Sequence, residues 1–228
     1  MQELEAIWRR EARLELAAVA RQWKDFAAAE DAVQEALAAA TAQWPRDGVP
    51  EDPRAWLVRV ASRRMVDQVR SEVARRAREG REAIASADFP EVADRDDSLT
   101  LLLLCCHPAL TVPSQVALTL RAVAGLTTAQ VARSFLVPVS TMGQRISRAK
   151  RVIRDAGATF ELPGPDELDD RVRAVMHVLY LVFTEGHTST EGHGLTNEEL
   201  AAEAIRLARQ LRAARPDDPE GAGPRSAA

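Results

Sequence analysis

Between Leu57 and Val73 an apolar side chain recurs every four residues, Leu57, Ala61, Met65, Val69 and Val73, with no break. That spacing keeps one face of an α-helix apolar over more than four turns, and no β-strand of period two can place those residues together. On another side of the same helix Arg59, Arg63, Asp67 and Arg70 stack, which makes it amphipathic with a cationic side. The same period appears earlier in Ala29, Val33, Leu37, Ala40 and Trp44, and later in Met142, Ile146, Ala149 and Ile153. Aromatic residues make up only 4% of the chain, and Ala, Leu, Val and Arg dominate, so there is little strand vocabulary to set against these helices. The expectation is an all-α protein.

Helices are expected at residues 3–24, 26–44, from Pro53 to beyond Val73, at 98–110, 112–124, through Arg133, at 139–155, 167–183 and 197–211. Pro45, Gly48, Pro50 and Pro53 read as a punctuated loop, with Pro53 suited to the first turn of the helix that follows. Gly125 is placed to end one helix. Thr127 and Gln130 form a capping-box signature at the start of the next. The short capped helix, the turn Phe135-Leu136-Val137-Pro138 and the helix from Val139 together read as a helix-turn-helix. Its second helix carries Ser140, Thr141, Gln144, Ser147, Arg148 and Arg151 away from the apolar stripe.

The net charge of −4 hides a strong segregation of sign. Residues 54–81 hold nine arginines against Asp67, Glu72 and Glu79, and residues 133–154 hold six basic residues and no acid. Residues 82–97 carry six acids against Arg95, and from Asp155 onward 14 acids face seven arginines. Two basic blocks separated by acidic ones suit a polyanion bound at two places, with solvated helix faces as the plainer alternative. Adjacent Cys105 and Cys106 in an apolar run read as buried thiols of a reducing compartment. The charged N-terminal segment has no signal-like apolar core, and no apolar run nears the roughly 18 residues of a membrane span, so a cytoplasmic protein is expected. His177, Glu185, His187 and His193 do not reproduce an HExxH-like spacing, and no phosphate loop or nucleophile elbow is present, so neither a metal, a cofactor nor an enzyme is expected. His107, ahead of Pro108, reads as a partly buried structural residue.

Three blocks then resemble a known family. AEDAVQEAL at 29–37 with DPRAWLVRVASRRMVDQVRSEVARR at 52–76 resembles region 2 of the extracytoplasmic-function (ECF) RNA polymerase sigma factors. LTTAQVARSFLVPVSTMGQRISRAKRVIR at 126–154 is similar to their region 4. CCHPAL at 105–110 and LYLVFTEGH at 179–187 resemble the branch with a C-terminal, tetratricopeptide-like helical extension, here shortened after about residue 211. The resemblance implies region 2 over 1–81, an acidic flexible linker over 82–97, region 4 over 98–157, an extension over 158–215 and a disordered tail over 216–228. It implies core RNA polymerase and promoter DNA as partners of a non-enzymatic protein that is monomeric when free, with no anti-sigma partner evident. Asp31, Gln34 and Glu35 fall where the polymerase clamp would dock. Arg54, Arg59, Arg63, Arg64, Gln68 and Arg70 fall where the melted −10 element would be engaged, by phosphate pairing and stacking. Trp56 is expected in the core rather than on a base. Gln144 and Arg148 would read −35 bases, and Ser140, Thr141, Ser147, Lys150 and Arg151 would contact the backbone. Gly143 departs from the family, which often has a longer basic residue there. A stand-alone helix-turn-helix regulator is the alternative; it leaves the basic 54–76 helix and the DAVQE block without a role. The extension's apolar stripe, Val172, Val175, Met176, Leu179, Val182 and Phe183, is expected to pack on region 4 or the linker.

Overall fold

Every regular element among the described residues, 2–78, 97–188, 204–209 and 211–212 of the computed structural model, is a helix. Three helices come first: α1 (Gln2–Trp23), α2 (Phe26–Asp47) and α3 (Pro53–Arg78). Only Lys24 and Asp25 join α1 to α2. Lys24 takes a left-handed φ of 54° and its N–H closes α1 on the Ala20 carbonyl at 2.9 Å. The Asp25 carboxylate then accepts from the Ala28 N–H at 3.0 Å, capping α2. Asp52 opens α3 in the same way, accepting from the Ala55 N–H at 2.9 Å ahead of Pro53. The sequence placed Pro45 in a loop. It lies instead inside α2, which ends at Gly48, where φ of 85° lets the cap N–H reach the Trp44 carbonyl. A proline in a last turn forgoes one ladder bond without stopping the helix, because glycine performs the stop.

The second group is α4 (Ser98–Cys105), α5 (Val112–Ala122), α6 (Thr128–Ser134) and α7 (Val139–Asp155). α4 ends five residues before the expected Leu110. His107 N–H turns back to the Leu104 carbonyl, and Pro108 follows. Gln115 reaches up from α5 and donates to the Cys106 and His107 carbonyls at 3.3 and 3.1 Å, so the carbonyls past the end of α4 are satisfied. The expected capping box is present in full at Thr127 and Gln130. α8 (Pro165–Thr188) runs past Phe183 into the segment expected to be a polar loop, and helical residues recur at 204–209. The expected linker, apart from Asp97, and the expected tail lie outside the described residues.

Packing joins these elements into one apolar core. α2 packs on α3 and α1, and buried Trp44 meets Trp56 edge-on with ring centroids 5.5 Å apart, so Trp56 is engaged with the core as expected. Leu101 to Cys106, Leu118, Met142, Ile146 and Ile153 fill the interior of α4–α7. Cys105 and Cys106 are free, buried thiols; burial raises both, Cys106 to about 12 against the opposing hydrogen bond of Thr119. Neither is a reactive thiolate. α8 lies against α5 and α4 through Val172, Val175, Val178, Leu179 and Val182, with Arg171 donating to the Leu103 carbonyl at 3.3 Å. Met176, expected in that stripe, is 41% exposed, and Val178 takes the inward place. Finally, α2 packs on α7 and α1 on α4 and α5, so the two groups share an interface.

Candidate nucleic-acid interface and the α2–α7 contact

α7 owes its outward chemistry to its inward stripe. With Met142, Ile146, Ala149 and Ile153 buried, the helical period turns Ser140, Thr141, Gln144, Ser147, Arg148 and Arg151 to solvent, and all six are exposed. The turn before it is held rigidly. The Leu136 N–H bonds the Arg133 carbonyl at 3.0 Å, the Val137 N–H bonds the Ala132 carbonyl at 3.0 Å, and the Arg145 guanidinium stacks 5.2 Å from the Phe135 ring centroid. Arg145 is thus spent on the turn and not on the outer face. Pro138 precedes α7 and gives no side-chain cap, which leaves the first-turn N–H groups open to an anionic oxygen.

Lys150 behaves differently. The sequence placed it among the backbone contacts, but it is buried and turned toward α2. Its Nζ lies 2.8 Å from Glu30 Oε2 and also bonds Asp31 Oδ1. Arg121 of α5 completes the cluster, Nε 3.2 Å from Glu30 Oε1. Burial works against the Lys150 charge, yet Glu30 and Asp31 together outweigh it and hold the ammonium above its usual 10.5. In this arrangement the Lys150 ammonium is not available to a phosphate. Arg154 and Asp25 extend the contact at 3.9 Å, and Arg21 at the end of α1 pairs with buried Asp97 ahead of α4.

On α3 the residues expected at the −10 element run along the helix around its apolar stripe. Arg59, Arg63, Arg64, Gln68 and Arg70 are exposed, and Arg54 is half-buried. Of the residues expected at the polymerase, Asp31 and Glu35 are exposed and Gln34 is half-buried, all on one side of α2. Glu35 already pairs with Arg64 at 3.1 Å. Residues from the three expected surfaces therefore meet one another on α2.

Glu30 and Arg121 were not singled out by the sequence reading. The signal for Glu30 was present, because it stands at i+4 from Phe26 and three before Val33, on the apolar face of α2. Lys150 likewise follows Met142 and Ile146 at four-residue steps. A charge on a core stripe signals a buried partner of opposite sign. Among the described residues no group of three His, Cys, Asp or Glu could hold a metal ion; His177 is exposed, and His187, Glu185 and His193 lie outside the described side chains. His107 is half-buried, and its Nδ1 accepts from the Ala109 N–H at 3.1 Å. No described helix is long and apolar enough to cross a membrane.

An all-helical chain with a capped helix-turn-helix and a second cationic helix has the form of a sigma-70-type transcription factor, and family models agree. Sigma-70 region 2 matches residues 7–75 and Sigma-70 region 4 matches residues 100–153. A family of unknown function, DUF6596, matches residues 171–223. The chain is 40% identical over 217 residues to an uncharacterized protein of Rhizobium meliloti, covering 91% of this chain and 51% of that protein. It is 31% identical over 140 residues to the probable ECF RNA polymerase sigma factor SigI of Mycobacterium tuberculosis, covering 58% of this chain and 48% of that one. With the ECF RNA polymerase sigma factor SigK of Mycobacterium ulcerans it shares 30% identity over 142 residues, 60% of this chain and 76% of SigK. No solved structure matches. This chain belongs to the ECF sigma factor family. It spans about half the length of the first two relatives, 51% and 48%.

Proposed function

We propose that this protein binds core RNA polymerase and directs it to promoters, with α7 reading the −35 element, α3 engaging the −10 element and α2 docking on polymerase. The observation that carries the reading is the outer face of α7, where Ser140, Thr141, Gln144, Ser147, Arg148 and Arg151 stand exposed on a rigid, capped helix-turn-helix. Gln144 suits adenine, Arg148 suits guanine, and the short hydroxyls and Arg151 suit phosphates. Arg59, Arg63, Arg64, Gln68 and Arg70 give α3 a solvent-facing cationic side for an unstacked strand. The division of labour follows the expected boundaries, 1–81 for polymerase and −10, 98–157 for −35, and 158–215 as an extension seated on region 4. The protein acts without catalysis, cofactor or metal, in the cytoplasm, as a monomer until it meets polymerase. The stand-alone regulator is not favoured, since Sigma-70 region 2 matches residues 7–75.

Run-off transcription with core polymerase tests this. The protein should direct transcription from a subset of promoters and should bind promoter DNA specifically only with polymerase. Submicromolar specific binding by the isolated chain at physiological salt, with no run-off product, would replace the proposal with the stand-alone regulator.

A further inference from the structure

The cluster joining α2 to α7 is the least expected feature of the molecule. Glu30 and Lys150 are 120 residues apart in sequence and both nearly dry, with side chains 3% and 9% exposed. Arg121 is 13% exposed, so Glu30 sits between two cations supplied by the other half of the chain. Asp31 differs from Glu30 in one respect that matters. It binds Lys150 on one side while its side chain remains 64% exposed, so a second cation can reach it without the interface first opening. Four residues on, along the same side of α2, Glu35 holds Arg64. The acidic face of α2 is therefore already occupied by the protein's own cations.

Length turns this contact into a functional constraint. The −10 and −35 elements lie roughly 25 base pairs apart, about 85 Å along B-form DNA. A folded chain of this size is only about 45 Å across. With α7 held on α2, the two DNA-reading helices cannot occupy both elements.

Resting on the sigma-factor reading, we infer that the Glu30–Lys150–Asp31–Arg121 cluster is a latch that keeps the free protein closed. In it, α7 competes with polymerase for the acidic face of α2. A cationic docking surface that takes Asp31 removes one of the two carboxylates holding Lys150. The remaining pair then separates into water, where Glu30, Arg121 and Lys150 are all hydrated and none is left charged in a dry site. Lys150 is thereby released to the DNA side at the moment polymerase arrives, which couples docking to promoter reading.

The test uses the full chain with spin labels at Thr41→Cys in α2 and Thr159→Cys after α7, both exposed positions; native Cys105 and Cys106 are buried. Distances are measured by double electron–electron resonance, free and with core polymerase. The free protein should give one short, narrow distance, and polymerase should lengthen it. Glu30→Gln should open a large fraction of the free chain and tighten binding to core polymerase about threefold to tenfold. Lys150→Met approaches the latch from the other side and should open it equally, so the test survives if one variant fails to fold. Combining the two should open the chain little further than either alone. A free wild-type chain already long and broadly distributed overturns the latch. So do folded variants that keep the wild-type distance and polymerase affinity. If the wild type does not bind core polymerase, the sigma-factor reading falls, while the free-chain distances still decide the latch.

Discussion

α3 and α7 are the two cationic helices of this protein. Each lies in a block of net charge +6 by the same count of Arg and Lys against Asp and Glu, over residues 54–81 and 133–154. Their relation to α2 is nonetheless opposite. α3 meets α2 through a large apolar seam, and the Arg64–Glu35 ion pair across that seam has both side chains more than half exposed. α7 meets α2 through Lys150, Glu30 and Asp31, in which the central pair is almost dry. Water screens the first pair and leaves it worth little, while the second is protected from screening and from salt. Equal charge thus does unequal structural work. Arg59, Arg63, Gln68 and Arg70 of α3 are exposed to a partner, whereas Lys150 of α7 is buried against α2.

The sharpest way to break that comparison is to neutralise one cation on each helix. Lys150→Met should destabilise the closed protein by about 3 kcal/mol, since it strips a buried carboxylate of a partner. Arg64→Met should change stability by about 0–1 kcal/mol. Denaturant unfolding of both variants measures the difference, and equal effects would show that the α2–α7 pair is as screened as the surface one.

The next largest effect concerns DNA. Arg148→Ala should cost about 1–3 kcal/mol of promoter binding by holoenzyme and relax preference at one −35 position. Arg151→Ala should weaken all sequences alike and lower the salt dependence. Footprinting on a library of −35 variants separates the two, and unchanged occupancy for both would remove α7 from the interface.

Smaller still is the effect expected at Gly143. A Cβ built there meets nothing within 4 Å, and the residue lies between Val139 and Ser147 on the outer side of α7. Gly143→Ala should therefore stabilise by about 0.5–1 kcal/mol through backbone entropy alone. Gly143→Arg should in addition raise promoter affinity, as filter binding with holoenzyme would register. A loss of stability would mean that α7 is held by contacts that its free side does not show.

The smallest effect is one of pH. Burial, and then the positive charge of Arg171, lower His107 below its usual 6.5. A histidine so depressed contributes stability that is present above the unfolded value of 6.5 and lost as pH falls through its lower folded value. Protonation would also end the acceptor role of Nδ1 beneath α8. The Lys150 contribution has the reverse sign. It is present below 10.5 and lost only as pH rises through the elevated folded value. Mild acid should therefore lower the melting temperature slightly through the α4–α8 contact and leave the α2–α7 contact intact. His107→Gln should remove the acid part of the profile.

Most of the local structure was legible because it is decided locally. The capping box at Thr127 and Gln130, the bounds of α7 and the start of α3 at Pro53 all follow from the side chains within one turn. Misplaced ends have equally local reasons. α2 continues through Pro45 because a proline near a C-terminus removes one bond without clashing forward, and α4 stops early because His107 and Pro108 turn the chain. Met176 and Val178 exchanged places because a helix of this length offers two adjacent stripes, and only the surface it packs on selects between them.

The sequence by itself determined that this chain is helical, where its helix-turn-helix lies, and which face of α7 turns outward, because period and capping act over a few residues. What only the tertiary structure decided is which charges remain available to a partner. Lys150 and Glu30 each sit on an apolar stripe, but the partner that makes each tolerable lies 120 residues away. Coulomb attraction between them acts only at the few ångströms that folding supplies, so no reading of either helix alone could have matched them.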